Sequence, residues 1–305
     1  MVWDILFKKK LAVKIPPTFN VSTMYGVIAE VFDENLDARA SRVVFDFSSL
    51  DFIEPVGVVI LSNIFESLKK SKVRFSIINH NIRTVANKYL DDAGFFLTYT
   101  GSIAFPDQHR RPTTIPLQLV ASADATHFLY AELMPWIAQQ VGLSADSLAA
   151  VRTSIEEVFH NIRDHSGVGV GCVFAQYYPN KNQIQLAISD FGRGIPNSVR
   201  TVEANATDQE ALRLACQEGF TTKSNVRNRG AGLPNLMRYI PQRNNGTILV
   251  SSGSANVSAT KGDGGSKITA RRINGYYPGT LVRAVLRTDT LERFSEDAEI
   301  EVFEW

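Results

Sequence analysis

The sequence is poor in several features that would place it at once. It has only two cysteines, Cys172 and Cys216, too few for a disulfide framework or a cysteine-based zinc site, and they read as buried or bystander thiols of a reducing cytosol. No long apolar run is present. The longest, around Val56 to Leu61, is far short of the roughly 20 residues a membrane helix needs. The N-terminus lacks an apolar stretch followed by a small-residue cleavage site, so no secretory signal is expected. Neither sign of charge dominates: 32 basic residues face 31 acidic ones, for a net charge of +1. That balance gives no general electrostatic reason to bind nucleic acid or an anionic membrane. Lys8-Lys9-Lys10 and Arg110-Arg111 are short runs of the kind found on ordinary solvated surface. The Gly-x-x-x-x-Gly-Lys-Ser/Thr phosphate loop is absent, as is any internal repeat. A cytoplasmic location is the expectation.

What is present suits a globular protein. The chain has 305 residues, 44% hydrophobic and 21% charged, enough for two domains with their own cores. We expect an α/β fold in two domains: residues 1–105, a polar linker with two prolines at 106–114, a second domain at 115–289 and an acidic tail at 290–305. In the first zone Arg42 to Phe47 is a compact β-branched and aromatic run, expected to be a buried strand. Val58, Leu61, Phe65 and Leu68 recur at helical spacing. Val73, Phe75 and Ile77 alternate with Arg74 and Ser76 as in a strand. Ile82, Val85, Tyr89 and Leu90 predict a further helix ending near Gly94. Strand–helix–strand–helix order implies a mixed sheet with helices packed on it.

In the second zone we expect strands at Pro116 to Val120, Gln183 to Ile188, Gly246 to Ser252 and Thr280 to Leu286, and helices at Ala125 to Val141 and Ser144 to His165. The Ser-, Gly-, Asn- and Lys-rich stretch from Gly253 to Gly279 reads as a flexible loop or a hairpin excursion.

The helix from Ser144 to His165 carries two stripes. Leu148, Val151, Ile155, Phe159 and Ile162 form a core face. Glu157, Asn161 and His165 are four apart and line a second face. A solvated polar face would look the same. Further on, the strand to Ser189 ends in Asp190-Phe191-Gly192-Arg193-Gly194-Ile195-Pro196. An Asp at a strand end, followed by glycines at alternate positions, suits a ligand lying against bare backbone; a plain glycine-rich turn is the bland alternative. Gly219-Phe220-Thr221-Thr222-Lys223-Ser224 follows, and then Arg229-Gly230-Ala231-Gly232-Leu233 opens a helical segment. Glycines before a helix let amide N–H groups meet phosphate, although a lone Gly-x-Gly is weak evidence.

The order of these pieces carries more than any one of them. Glu-x-x-x-Asn-x-x-x-His, Asp-x-Gly-x-Gly-Ile, Thr-Thr-Lys, Gly-x-Gly-Leu and a closing Gly-Thr strand together resemble the GHKL (Bergerat-fold, histidine kinase-like) ATPase domain over roughly residues 115–288. The resemblance implies an α/β sandwich that binds ATP and Mg²⁺. It implies that Asn161 gives an oxygen to Mg²⁺, a hard cation, and that Glu157 acts as the base on a water or hydroxyl. Asp190 would accept the hydrogen bond of the adenine amino group, with Thr280 supporting it through its hydroxyl or a water. Gly192 and Gly194 would let the backbone approach base and ribose. His165 would touch phosphate, Thr221, Thr222 and Lys223 would lie in a mobile lid with Lys223 reaching the γ-phosphate, and Gly230 and Gly232 would cradle the triphosphate. The Asp-Phe-Gly triplet at 190–192 also occurs in eukaryotic-type protein kinases, but no Val-Ala-Ile-Lys strand or His-Arg-Asp loop accompanies it.

Val43 to Gly57, with the helix and strand after it, resembles the STAS domain of anti-sigma factor antagonists over about residues 10–100. That family's phosphorylatable turn reads Asp-Ser-Ser/Thr-Gly. Here the turn reads Glu54-Pro55-Val56-Gly57, which offers no hydroxyl, so a docking or regulatory module for a protein partner is implied instead. The two resemblances together imply a signal-transduction protein like the anti-sigma factor kinases, acting as a serine/threonine kinase or ATPase. The alternative is a non-catalytic module whose partner surface is gated by ATP. A homodimer is possible, since dimers are common among such proteins. A sensor histidine kinase is disfavoured, because no two-helix hairpin with a phospho-acceptor histidine precedes the second domain; a DNA-processing role lacks a basic surface. The tail has six acidic residues and one arginine between Thr290 and Trp305. Its end, Glu299 to Trp305, alternates, and either frays or adds as a strand to a partner's sheet edge.

Overall fold

A computed structural model of the chain describes residues 10–121, 123–144, 148–165, 170–220 and 232–291. The chain is mixed α/β and divides into two compact units, Met1–Leu117 and Gln118–Trp305.

The first unit contains β1 (Lys10–Lys14), β2 (Thr18–Phe19), α1 (Met24–Val31), β3 (Arg42–Asp46), β4 (Phe52–Ile53), α2 (Pro55–Lys70), β5 (Arg74–Ile78), α3 (Val85–Asp92) and α4 (Phe95–Thr100). Strands β1, β3 and β5 form a parallel sheet in that order, and β2 pairs with β4 in a small parallel ladder. Parallel neighbours need crossover connections; α1 and α2 supply them. Val58, Leu61, Phe65 and Leu68 of α2 are all fully buried. Phe65 stacks on Phe75 with ring centroids 4.7 Å apart and sits equally close to Phe45, so the core is largely aromatic. Such pairs add roughly 0.5–1.5 kcal/mol each beyond their buried area.

Pro55 opens α2 at the position where a missing N–H costs nothing, and Pro55 and Val56 are both buried. Gly57 sits where the helix start meets β2 and β4. A Cβ there would lie 2.7 Å from the Ile53 side chain and 2.8 Å from the Phe19 carbonyl oxygen. The expected helix over Ile82 to Leu90 begins later, at Val85, because Thr84 caps it by accepting from the Asn87 amide. Ile82 and Val85 are consequently exposed. The stretch 106–114 lies inside this unit. Just before it, the amides of Ala104 and Phe105 donate to the buried Asp91 carboxylate at 2.8 and 3.0 Å. Arg111 donates to Asp92 at 2.9 Å.

The division between the units falls within β6 (Thr114–Ala121). Then come α5 (Ala125–Phe128), a π-helical turn (Leu129–Leu133), α6 (Met134–Val141), α7 (Ala149–His165), β7 (Val170–Tyr178), β8 (Gln183–Asp190), α8 (Ile195–Val199), α9 (Asp208–Ala215), α10 (Gly232–Asn244), β9 (Thr247–Gly262) and β10 (Gly265–Arg287). Five strands form one sheet in the order β6-β7-β8-β10-β9. Strand β8 runs antiparallel to both β7 and β10, and β10 antiparallel to β9, and α7 packs on α10. The stretch from Gly253 to Gly279 is a hairpin, continuous with β9 and β10. Its ladder breaks around Tyr277, and Gly253 takes a left-handed φ of 63°. The hairpin tip returns to α10, where the Ser266 hydroxyl donates to the Arg238 carbonyl at 3.0 Å. Both cysteines are buried, and burial pushes the Cys216 thiol up to about 12. Among the described residues no helix is long and apolar enough to cross a membrane.

Gly57→Ala should destabilise the first unit, because one of the three close neighbours is the Phe19 carbonyl and the other two belong to the buried side chains of Ile53 and Phe19. Overpacking of this kind costs about 1–3 kcal/mol. Urea unfolding should show a lower midpoint at unchanged slope; an unchanged midpoint would contradict the close approach.

Candidate functional site

Asp190 is the last residue of β8 and only 1% exposed. It stands directly across the ladder from Thr280 of β10. Its Oδ1 accepts from the Gly192 amide at 2.7 Å. Its Oδ2 is fully buried and has no hydrogen-bond partner among the described residues. Burial pushes the carboxyl up to about 7, while the amides of Gly192 and Thr280 pull the other way. A buried polar atom without a partner costs roughly 1–3 kcal/mol, so the fold keeps an acceptor here at the expense of its own stability.

Two neighbouring backbones close in on this carboxyl, at Gly192 and Gly279. Gly279 takes φ 78°, and a Cβ there would sit 2.3 Å from the Asp190 carbonyl oxygen, 2.5 Å from the Gly192 nitrogen and 2.7 Å from Asp190 Oδ1. Gly194 takes φ 76°, and its Cβ would meet Ser252 Oγ at 2.8 Å. Ser252 is wholly buried and ties these pieces together. Its hydroxyl accepts from the Ile195 amide at 2.9 Å and donates to the Gly279 carbonyl at 2.5 Å. Behind them the Ser189 hydroxyl meets the buried Tyr277 hydroxyl, and Phe191 packs edge-on against the Tyr277 ring at 5.5 Å. The bare backbone at 192–195 is thus fixed between β9 and β10.

Asp208, first residue of α9, extends the brace. Its Oδ2 accepts from the Ser254 amide and hydroxyl at 2.6 and 2.8 Å, and its other oxygen meets Arg200. Burial raises the Asp208 carboxyl, but these donors outweigh it and hold it below the usual carboxylate range. Thr207 and Glu210 form a reciprocal capping box at the same helix start. Gly279, Ser252 and Asp208 were not expected from the sequence. Gly279 had a signal, since it precedes Thr280 in the closing Gly-Thr pair; a lone Ser and a lone Asp had none.

The structure therefore gathers Asp190, Gly192, Gly194 and Thr280 at one end of β8 and β10. Glu157, Asn161 and His165 fall on successive turns of α7, and Gly232 is the first residue of α10, which packs on α7. The side chains of Glu157, Asn161 and His165 lie outside the described residues, as do Thr221, Thr222, Lys223 and Gly230 entirely. Among the described residues no cluster of His, Cys, Asp or Glu could hold a metal ion.

The Asp190 carboxyl gives the stability a definite pH dependence. Folded, it keeps its proton up to about 7, whereas the unfolded chain releases it near the ordinary value of about 3.9. Between these values the native state binds the extra proton, so stability falls as pH rises through the window and levels off above it. Asp190→Asn should remove that segment of the profile and be the more stable protein at about pH 8. Denaturant midpoints of both proteins at about pH 5 and about pH 8 check this; identical profiles would contradict it.

A scan against protein-family models finds no match to this chain, and no curated protein matches it in sequence.

Proposed function

We propose that the second unit binds Mg²⁺·ATP as a Bergerat-fold domain of the GHKL type, attached to a STAS-like first unit, in a cytoplasmic signalling protein resembling the anti-sigma factor kinases. The observation that carries this reading is the free, buried Oδ2 of Asp190 beside a backbone stripped of side chains at Gly192, Gly194 and Gly279. An ionised carboxylate with one oxygen already satisfied has an acceptor left for one donor. The exocyclic amino group of adenine is such a donor, and guanine carries a carbonyl acceptor at that position. The Gly192 amide, held on Oδ1, fixes which oxygen is offered. The residues fit the base end of the nucleotide on that ground.

The remaining roles follow from the order of the motifs. Asn161 is the Mg²⁺ ligand, and bound Mg²⁺ would supply charge neutralisation at the phosphate oxygens. Glu157, one helical turn before Asn161, hydrogen-bonds the attacking water or hydroxyl and takes its proton. His165, Thr221, Thr222, Lys223, Gly230 and Gly232 hold the phosphates. The first unit serves a protein partner as a docking module. Its buried Pro55 and Val56 at the start of α2 carry no hydroxyl for a phosphoryl group, so the acceptor of any phosphotransfer is sought elsewhere.

Titration with ATP should show saturable binding that Asp190→Asn weakens by at least about 100-fold, because its amide would present N–H to the adenine amino group. Equal affinity in a folded Asp190→Asn protein would overturn the site. Glu157→Ala should keep ATP affinity but lose on the order of 100-fold or more in release or transfer of labelled γ-phosphate. ATP binding by the parent without turnover, alone or with cell lysate, would instead establish the non-catalytic, ATP-gated module.

A further inference from the structure

The distal part of the β9–β10 hairpin is a cationic surface. Between residues 254 and 276 it carries Lys261, Lys267, Arg271 and Arg272 against the single acid Asp263. All four cations are exposed. None of them forms an ion pair among the described residues, where Asp208 is engaged by Arg200 and Glu218 by Arg238. Two large apolar side chains, Ile268 and Tyr276, are also 43% exposed on this arm. On one edge β10 pairs with β9 along this stretch. On its other edge β8 reaches only from Thr280 onward, so residues 265–279 have no strand partner there among the described residues.

The same chain ends in a segment of opposite character. Residues 292–305 hold six acidic residues and one arginine, and Glu299-Ile300-Glu301-Val302 alternates acid with apolar residue. That segment lies outside the described residues, but the point from which it departs is fixed. Leu291 is fully buried. The Thr290 hydroxyl donates to the Asn244 carbonyl at 2.7 Å, and the Asn244 amide donates to the Arg287 carbonyl at 2.7 Å. The hairpin tip docks on the same helix: Ser266 bonds Arg238, and Gly265 lies beside Gln242. Gln242 and Asn244 are separated by about 3 Å of helix rise and about 200° around the axis. The tail therefore starts within about one helix diameter, ~10–12 Å, of the tip of the cationic hairpin.

We propose that residues 292–305 dock along the distal hairpin of their own chain, with tail carboxylates facing Lys261, Lys267, Arg271 and Arg272. The reach suffices: the seven residues 292–298 span up to about 25 Å extended, and β10 from Gly265 to Arg272 spans about 24 Å. Charge complementarity sets the register, and the alternating Ile300 and Val302 suit the exposed Ile268. Because the pairs are near the surface, the docking is salt-sensitive: the Debye length shrinks from about 10 Å at 0.1 M to about 3 Å at 1 M salt. This inference is independent of nucleotide binding.

The test is carbodiimide cross-linking of the full chain without nucleotide, followed by digestion and mass spectrometry, using an equal mixture of ¹⁴N- and ¹⁵N-labelled protein. The expected product joins Lys261 or Lys267 to an acid between Glu296 and Glu304 within chains of one isotope. It should fall at least about fivefold in 1 M salt, and by a similar factor in Arg271→Glu/Arg272→Glu, which keeps both lysines. Mixed-isotope links would place the tail on a second copy and overturn the proposal. Tail acids linked mainly to other lysines, or lysines that react without any tail link, would overturn it too.

Discussion

The second unit is organised around one costly choice, a carboxyl buried with only half of its hydrogen-bonding capacity used. Asp190 lies at the end of β8, nearly without exposure, with one oxygen on the Gly192 amide and the other free. An apolar residue would stabilise such a position more than an aspartate does. The surroundings are shaped to keep the carboxyl there rather than let it rotate toward solvent. Gly279 presses its backbone against it, and Ser252 holds Gly279 to the segment after Gly194. Asp208 then anchors the bend of β9 through Ser254. Departures from local optimality of this sort are expected where a protein meets a ligand.

In the first unit the core is largely aromatic, and the acidic pair Asp91 and Asp92 is engaged by the amides of Ala104 and Phe105, by Lys88 and by Arg111. At the start of α2, Pro55 and Gly57 serve packing: the proline sits where its lost N–H is harmless, and the glycine where no side chain fits.

Much of this was legible in the sequence, and the failures have physical causes. Strands β3, β5 and β8 and helix α2 have strong periodicity and few competing signals, so their residues alone predict them. Asp190 was legible as a strand end because the alternation of Gln183 to Ile188 stops at Asp-x-Gly-x-Gly. Strand β7 was missed because Val170–Tyr178 alternates imperfectly, being buried on both sides through Cys172, Val173, Phe174 and Ala175. Helix α9 was missed despite its capping box, since its eight residues carry only a short apolar stripe. The Gly253–Gly279 stretch left loop and hairpin open: its composition is that of a loop, while its small residues Ala255, Val257 and Ala259 are buried at alternate positions. Ser252 could not be singled out at all. Its role depends on Gly194 and Gly279 arriving from two distant strands, which is tertiary information.

The central claim is that Asp190 reads an amino group at position 6 of a purine. Parallel titrations with ATP and with inosine triphosphate, which differs by an oxygen in place of that amino group, test it most directly. The account predicts that ATP binds at least about 100-fold more tightly, since the free carboxylate oxygen would face an acceptor in the inosine compound. Equal affinities for the two nucleotides would contradict it.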